Sequence, residues 1–284
     1  RAQAERVSPR LTDEAAWKAN VLTGDEADVT RLPIPVHARG DGGAFITGGV
    51  CISRDPEAER GNLSYNRMQV KGPRSLGINI NEWRDLRRFM RWYEKRGEPT
   101  PVAVAIGLDP AIMIAAGCRS DRDEMEIAGS LRGNGIRVAK GVTVDLAIPA
   151  EAEIVIEGHI PPARREGEGP LAEFHGYFGE VWESPTFEVS AICFRHDPIY
   201  QTVVPGWVEH INLGNVLPRE PLLLRFAGHV SKNVKALHIP PYGSGFVALV
   251  AIDKQNPGEP KNVALAIFTA HVNVKMCIVV DADV

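Results

Sequence analysis

The sequence of 284 residues has no long hydrophobic run, no strong excess of charge of one sign and no cluster of cysteines. No apolar stretch approaches the ~20 residues that a membrane-spanning helix needs, so no membrane span is expected. A net charge of −4 and an aromatic content of 7% do not favour binding to nucleic acid or to an anionic membrane. Neither kind of partner is therefore expected.

The four cysteines, Cys51, Cys118, Cys193 and Cys277, form no C-x-x-C motif for metal or redox chemistry. Isolated cysteines in a chain of this size are typical of buried free thiols in a reducing compartment, so a cytoplasmic protein is expected. The sequence also lacks a G-x-x-x-x-G-K-[ST] loop, a G-x-S-x-G nucleophile, an H-E-x-x-H zinc motif and a Rossmann glycine triplet.

Turns and short strands dominate the first two thirds of the sequence. Glycine and proline account for 27 and 21 residues, which is typical of many turns rather than of a helical bundle. Strands are predicted at 45–53, 62–70, 102–106, 142–147, 152–157, 187–195 and 199–204. Short helices are predicted at 13–20, 110–116 and 120–130.

The clearest helical pattern lies at 81–96. Asn81 can cap its start and Gly97 can end it. Its apolar face is formed by Trp83, Leu86, Phe89, Met90 and Tyr93. After Pro218 the pattern alternates between helix and strand, at 221–233, 245–252, 261–271 and 275–280. Such alternation is typical of an α/β unit, so we place a domain boundary near residue 217.

Three polar stretches occur where an ordinary strand would not require them. In the first, Asn62 and Ser64 are two residues apart and share one face of a strand, where they can hold a phosphate or a metal-bound phosphate. Arg67 has the opposite parity and reaches that face only across a bulge or twist. Taken alone, this stretch also fits a polar edge strand.

The other two polar stretches carry acidic residues. Glu168 and Glu173 are five residues apart around a Gly-Pro turn, which suits a carboxylate directed inward from a tight loop. Glu209 follows the predicted strand 199–204, and active sites often lie beyond the end of a strand. Taken singly, these stretches also fit a solvated acidic hairpin and a surface acid beside a helix start.

Together, the stretches resemble the UbiD family of reversible decarboxylases, which use prenylated flavin mononucleotide (prenylated FMN). The matching blocks follow family order over 32–284: Asp41–Thr47, Asp55-Pro56, Asn62–Pro73, Pro149–Gly158, Glu168–Glu173, Glu209 after a Pro-Gly turn, and Val279–Asp283. The resemblance implies an α+β fold with a central split β-barrel of the flavin reductase type, followed by part of a C-terminal α/β domain.

The resemblance also implies a domain plan. We expect an N-terminal arm at 1–31 from a truncated N-terminal domain, a prenylated-FMN-binding split barrel at 32–217 with an α/β insertion around 81–135, and an incomplete C-terminal α/β domain at 218–284. The chain begins at Arg1 and ends directly after a buried-type strand. Flanking parts of a longer protein are therefore expected.

For cofactor binding, the resemblance assigns three residues besides Arg67. Asn62 and Glu173 match the ligands of a divalent metal, Mn²⁺ or Mg²⁺, that holds the flavin phosphate, with K⁺ as a further ion. Ser64 matches a phosphate contact, and Lys275 is a weaker candidate for one. The family's additional histidine ligand has no counterpart between Arg67 and Gly97, where Asn79, Asn81 and Glu82 are the polar residues.

For catalysis, the resemblance assigns Arg67, beside flavin and substrate, and Glu209, the acid that protonates the product. Cleavage of a bond to carboxylate at an sp² carbon leaves an electron pair that no side chain can accept, so a cofactor must take it up. We expect Glu209 to be buried against the flavin and Trp207. The alternative proton donor is His210, although a lone histidine is more often structural. A second carboxylate of the family's acid–arginine–acid network has no assigned position.

The activity implied is the non-oxidative, reversible decarboxylation of an aromatic, heteroaromatic or α,β-unsaturated carboxylic acid, with release of CO₂. The expected partners are a flavin prenyltransferase that supplies the cofactor and further copies of the chain, in a dimer or hexamer. Two alternatives remain open, a plain flavin oxidoreductase on the same barrel and a non-catalytic subunit of a multi-subunit decarboxylase.

Overall fold

The computed structural model describes residues 6–58 and 60–284, so the first five residues of the expected N-terminal arm lie outside the described part. The chain forms two compact units. The large unit contains the described residues up to Ala116, Ser120–Ala172 and Phe178–Val204, and the small unit contains Gly117–Arg119, Glu173–Tyr177 and Pro205–Val284. Among the described residues, no helix has the length and apolar character needed to cross a membrane.

Strands predominate in the described part of the large unit, and three α-helices accompany them there. The strands are β1 (Arg10–Leu11), β2 (Asn20–Thr23), β3 (Phe45–Ile46), β4 (Val50–Arg54), β5 (Gly61–Tyr65), β6 (Met68–Gly72), β7 (Ser75–Ile78), β8 (Thr100–Ile106), β9 (Arg137–Lys140), β10 (Ala147–Pro149), β11 (Ile154–Ile160), β12 (Arg165–Glu168) and β13 (Trp182–Phe194). The helices are α1 (Asp85–Glu94), α2 (Pro110–Gly117) and α3 (Glu124–Arg132).

The main sheet of the large unit has the strand order β3-β6-β7-β13-β11-β8-β4-β5, and β2 and β12 also pair with the long strand β13. A smaller sheet has the order β1-β9-β10. Leu86 and Met90 of α1 join a buried core with residues of the main sheet, among them Val104 and Ile156. The result is a mixed α and β fold around one large sheet, in agreement with the α+β class expected from the sequence.

The small unit is a three-stranded sheet with helices packed on it. Its helices are α4 (Val208–Ile211), α5 (Glu220–Val230) and α6 (Glu259–Ala270), and its strands are β14 (Val234–His238), β15 (Val247–Ile252) and β16 (Met276–Asp281). The central strand β15 pairs antiparallel with β14 and parallel with β16. Alternate residues of β15, such as Val250, form a core with Leu223 of α5 and Val263 of α6, as the helix–strand alternation predicts. Strand β14 was not expected from the sequence.

Helix α1 begins later than the sequence pattern indicates. It starts at Asp85 rather than near Asn81, and the Asn81 side chain caps a turn by accepting a hydrogen bond from Trp83 N at 3.0 Å. Leu86, Phe89 and Met90 are buried as expected, but Trp83 is 88% exposed because it precedes the helix. The first residue of the expected apolar face therefore does not belong to it.

Two expected strands differ from the structure, since 199–204 is a loop and 142–147 is a loop as far as Leu146, with Ala147 opening β10. In both loops a glutamate carboxylate accepts hydrogen bonds that the backbone N–H groups would otherwise donate to a neighbouring strand. The buried Glu157 accepts hydrogen bonds from the backbone N–H groups of Val142 and Thr143. Glu153 accepts one from Ile199 N at 3.0 Å. Side-chain acceptors from elsewhere in the sequence thus take the place of the inter-strand hydrogen bonds that the apolar pattern predicted.

Two further segments differ from the expected elements. The helix expected at 13–20 is a short 3₁₀ turn, Ala16–Ala19, followed directly by strand β2. The strand expected at 62–70 is divided into β5 and β6, which pair with different neighbours in the main sheet. Arg67 lies in the break between them, so the parity of one continuous strand does not apply to it.

Candidate active site

A buried polar face runs along strand β5 and its neighbour β4. Antiparallel pairing places Ser53 opposite Asn62, and both side chains are buried. Asn62 Nδ2 donates to Ser53 Oγ at 3.2 Å, and Asn66 Nδ2 donates to Ser64 Oγ at 2.8 Å. Asn62 and Ser64 thus share one buried face, as their spacing predicted. Since Asn62 Nδ2 is directed at Ser53, its Oδ1 is the atom able to ligate a cation.

The outer edge of strand β5 is held by the first turn of helix α3. Gly61 N donates to Asp123 Oδ2 at 3.1 Å, and Leu63 N donates to Glu124 Oε2 at 3.0 Å. Asp123 also caps α3 by accepting from Met125 N. Burial raises the pKa of Glu124 to about 7. Two carboxyl groups therefore replace the missing neighbour strand, which satisfies donors that an open sheet edge leaves unpaired.

Arg67 lies at the end of this polar face and forms an ion pair with Glu168. Arg67 Nε and Nη2 donate to Glu168 Oε1 and Oε2, each at 2.9 Å. The Glu168 side chain is fully buried and that of Arg67 is 13% exposed. Asn79 Nδ2 adds a hydrogen bond to Glu168 Oε2 at 3.2 Å. The guanidinium plane is thus fixed by two parallel charge-assisted hydrogen bonds.

The loop that follows Glu168 is attached to strand β6 and to the Asp41-Gly42-Gly43 turn. Gln69 accepts from Gly169 N at 2.9 Å and donates to Gly42 O at 2.7 Å. A Cβ on Gly42 would lie 2.3 Å from Gly169 O, so only glycine permits this approach. Asp41 Oδ1 accepts from Ala172 N at 3.0 Å. Two blocks about 130 residues apart in sequence are therefore neighbours in the large unit.

In the small unit, the turn after Glu173 carries an aromatic contact to the helix that bears Glu209. Glu173 itself is half-buried, and its backbone closes the turn by donating to Tyr177 O at 2.9 Å. The Phe174 ring meets the His210 ring edge-on at 6.3 Å and the Phe246 ring at 5.4 Å. These contacts bring the Glu173 turn and helix α4 together within this unit.

Glu209 lies in the first turn of α4 and is exposed, as is Trp207 at 65%. The burial expected for Glu209 is therefore absent from the protein alone. His210 Nδ1 accepts a hydrogen bond from Gly206 N at 3.1 Å, and burial lowers the pKa of His210 although Glu209 opposes the shift. Neutral His210 with its proton on Nε2 closes the turn before α4, which is a structural role.

Lys275 is exposed and precedes strand β16. Its Nζ lies 4.4 Å from the centroid of the Phe246 ring, and its backbone N donates to Phe246 O at 2.8 Å. Because Phe246 also contacts Phe174, the ammonium group belongs to the same side-chain cluster as the Glu173 turn. Phe174 and Phe246 thus join the segments of the small unit that carry Glu173, Glu209 and Lys275.

The three polar residues in the place of the family's histidine have other partners. Asn79 binds Glu168, Asn81 caps the turn before α1, and Glu82 forms ion pairs with Arg87 and Arg91. These arginines lower the pKa of Glu82, with the hydrogen bond from Arg87 as the largest cause. Among the described residues, no group of three or more His, Cys, Asp and Glu side chains is arranged to hold a metal ion.

The main residue that sequence reasoning missed is Glu168. It lies in a stretch identified as polar, but only Glu173 was assigned a role there. The spacing of two acids gives no indication of which one is buried, and the partner, Arg67, is 101 residues away. Phe174 and Phe246 were also missed, since aromatic residues in loops carry no periodic signal.

Comparisons with known proteins cover almost the whole chain. Residues 10–208 match the model of the 3-octaprenyl-4-hydroxybenzoate carboxy-lyase Rift-related domain, and residues 213–284 match that of the corresponding C-terminal domain. An anhydromevalonate phosphate decarboxylase from Methanothermobacter thermautotrophicus is 35% identical over 261 residues, which is 91% of this chain and 61% of that protein. The chain therefore spans about three fifths of the length of this relative.

Solved structures agree with the family models. An evolved dimeric form of the UbiD-class enzyme HmfF from Pelotomaculum thermopropionicum, in complex with prFMN, has a TM-score of 0.94 and 38% identity over 98% of this chain and 66% of its own. The apo 3,4-dihydroxybenzoic acid decarboxylase AroY from Klebsiella pneumoniae has a TM-score of 0.91 and 28% identity over 98% of this chain and 62% of its own. With two family models that together cover nearly all of the sequence, the chain belongs to the UbiD family.

Proposed function

We propose that the chain is part of a prenylated-FMN-dependent reversible decarboxylase that acts on an aromatic, heteroaromatic or α,β-unsaturated carboxylic acid. The observation that carries the proposal is the similarity to a prFMN-bound UbiD-class enzyme over 98% of the chain at 38% identity. The oriented, partly buried Arg67 supports it, because a guanidinium is a permanently charged donor that suits a carboxylate substrate. On the same basis, the main sheet of the large unit corresponds to the split barrel of flavin reductases.

The cofactor, when bound, would take up the electron pair that decarboxylation leaves on the substrate carbon. The proposed ligands of the divalent metal, Mn²⁺ or Mg²⁺, are Asn62 and Glu173. Both offer oxygen atoms, which these hard cations prefer. The oriented, buried amide of Asn62 fits this role. Ser64 and Lys275 are the proposed phosphate contacts, and K⁺ is a further proposed ion.

The chain's own residues would divide the remaining work. Arg67 would orient the substrate carboxylate through its guanidinium plane, which Glu168 fixes. Glu209 would deliver a proton to the carbon that loses CO₂, acting as a general acid. Its exposure in the protein alone leaves the carboxyl group free to exchange protons with solvent between turnovers. His210, whose Nδ1 is engaged by Gly206, is less suited to this task.

The proposal includes partners and a compartment. A flavin prenyltransferase would supply the cofactor, and a homo-oligomer, either a dimer or a hexamer, would be the working assembly. A relative that is 38% identical exists in an evolved dimeric form. No disulfide joins the four cysteines, all of which the structure describes, and two of them are buried, which supports a reducing cytoplasmic environment.

The test is to co-express the chain with a flavin prenyltransferase and to assay the purified protein with a panel of aromatic and α,β-unsaturated acids. We expect a prenylated-flavin absorbance, CO₂ release from one class of acid, and hydrogen–deuterium exchange of the product in deuterated buffer. NADH oxidation without CO₂ release would indicate a plain flavin oxidoreductase instead. Absence of both flavin and turnover would indicate a non-catalytic subunit.

A further inference from the structure

An open cleft of about 640 Å³ follows the outer face of helix α1 in the large unit. Its volume falls in the ~300–1,000 Å³ range of small-molecule sites. None of the residues assigned to the metal, the cofactor or catalysis, all of which the structure describes, lines it. The lining residues include Trp83, Arg88, Arg91, Trp92, Lys95 and Arg96. The cleft is therefore a candidate binding site that the proposed decarboxylation does not use.

The cleft carries an excess of positive charge, although the whole chain has a net charge of −4. Of the described residues that line it, five are arginine or lysine and three are aspartate or glutamate. Arg88 is paired with Asp55 at 2.7 Å. Lys95 and Arg96, at the end of α1, have no carboxylate partner among the residues that the structure describes. This end of the cleft therefore suits an anion.

Two tryptophan rings line the same cleft. Trp83, just before the helix, is 88% exposed, so its ring is open to a planar ligand. Near the end of the helix, the Arg96 guanidinium lies over the Trp92 ring, 3.5 Å from its centroid, and donates to Trp92 O at 2.9 Å. Stacking of this kind orients a guanidinium and leaves further N–H groups available to phosphate oxygens.

The exposed ring and the unpaired cations lie at opposite ends of the cleft. From Asp85 to Lys95 the helix rises about 15 Å, at ~1.5 Å for each residue. An extended nucleoside triphosphate has a comparable length, with a planar base at one end and most of its negative charge at the other. We propose that the cleft binds a nucleoside triphosphate, with the base on Trp83 and the phosphates at Lys95 and Arg96. This binding function goes beyond the proposed decarboxylation.

The probe is ATP, titrated by calorimetry in magnesium-free buffer into protein co-expressed with a flavin prenyltransferase. Adenosine and inorganic tripolyphosphate serve as its two halves. We expect ATP to bind with a Kd below about 1 mM and more tightly than either half. Absence of ATP binding in this range, or equal affinity for tripolyphosphate, overturns the proposal. So does ATP binding that disappears when flavin is bound, because it would place ATP in the cofactor site.

Single variants separate the two ends of the cleft. Trp83→Ala should weaken ATP binding about tenfold and leave tripolyphosphate binding unchanged, since a base stacked on an aromatic ring contributes that much affinity. Lys95→Glu should weaken the binding of both ligands about tenfold through its reversed charge. Both side chains are exposed, so the thermal midpoints should match wild type.

Matched controls lie outside the cleft. Trp182→Ala removes another exposed tryptophan of the large unit, and Lys261→Glu reverses another exposed lysine. Both should bind ATP as wild type does. Wild-type affinity for ATP in Trp83→Ala or Lys95→Glu, or an equal loss in the corresponding control, overturns the assignment to this cleft. Failure of the decarboxylase proposal would instead appear as a flavin-loaded protein that releases no CO₂, with ATP binding unaffected.

Discussion

The polar strand of the large unit and helix α4 of the small unit present their candidate residues in contrasting ways. Asn62, Ser64 and Glu168 are buried with hydrogen-bond partners. Glu209 is exposed, although the turn before it is held by His210. In the first region, hydrogen bonds within the protein hold the side chains in place, which suits the binding of a ligand in one orientation. In the second region, the carboxyl group of Glu209 is exposed to solvent, which suits proton exchange. Variants should therefore affect stability in the first region and only activity in the second.

The largest expected effect is that of Glu209→Gln on turnover. Loss of a general acid typically costs ~10²–10⁴-fold in rate, so decarboxylation and product hydrogen–deuterium exchange should both collapse. Since Glu209 is exposed, the thermal midpoint and flavin content should match wild type. Asp283→Asn, at another exposed acid of the small unit, is the control for charge. Retention of wild-type exchange with bound flavin would transfer the proton role to another residue.

Arg67→Lys tests whether a residue of the buried region contributes both to the stability of the fold and to turnover. Lysine cannot make the parallel pair of hydrogen bonds to Glu168, and one hydrogen bond to a charged group is worth ~1.5–3 kcal/mol. We expect a loss of turnover with flavin still bound, together with a lower urea midpoint of unfolding. Arg164→Lys, whose ion pairs are exposed, should change neither measurement. Near-normal turnover in Arg67→Lys would remove Arg67 from the active site.

Asn62→Ala and Glu173→Ala test metal and cofactor retention in each unit. Damage around a metal site typically costs ~10–100-fold in metal affinity, and loss of a ligand should cost at least as much. We expect lower Mn²⁺ and flavin occupancy after purification, measured by metal analysis and absorbance. Asn134→Ala, at an exposed asparagine of the large unit, is the control. Full occupancy in either alanine variant would contradict the assignment for that residue.

The smallest expected effect concerns the pH dependence that Glu124 gives to the edge of strand β5. Burial raises its pKa from 4.5 to about 7, so the folded protein binds more protons than the unfolded chain in this interval. The stabilising contribution is complete below about pH 4.5 and is lost as the pH rises towards 7, by about 1–3 kcal/mol. Glu124→Gln retains an acceptor for Leu63 N and should flatten this dependence.

The measurement for this last prediction is the urea midpoint at pH 5, 6, 7 and 8. Glu126→Gln, on the same helix, should leave the wild-type pH profile unchanged. An unaltered profile in Glu124→Gln would mean that another group controls the pH dependence. Either outcome bears on the contrast between the two regions, because Glu124 lies in the buried region and Glu209 is exposed.

Sequence reasoning succeeded where local pattern and local structure coincide. The spacing of Asn62 and Ser64 placed them correctly on one face, and helices α5 and α6 follow the periodicity after Pro218. It failed at 142–147 and 199–204, whose apolar and β-branched residues are typical of strands. There, the buried carboxylate of Glu157 and the half-buried carboxylate of Glu153 accept hydrogen bonds from the backbone N–H groups instead. The local sequence pattern gives no indication of a hydrogen-bond partner that is distant in sequence.

The sequence alone determined the family, the order of its blocks and the residue types for phosphate, metal and carboxylate chemistry. Those features depend on identity and spacing, which a linear chain carries in full. Only the tertiary structure decided that Glu168 pairs with Arg67, that Phe174 and Phe246 connect the residues of the small unit, and that Glu209 is exposed. Burial and charge pairing arise from contacts between distant segments, and they exist only once the chain has folded.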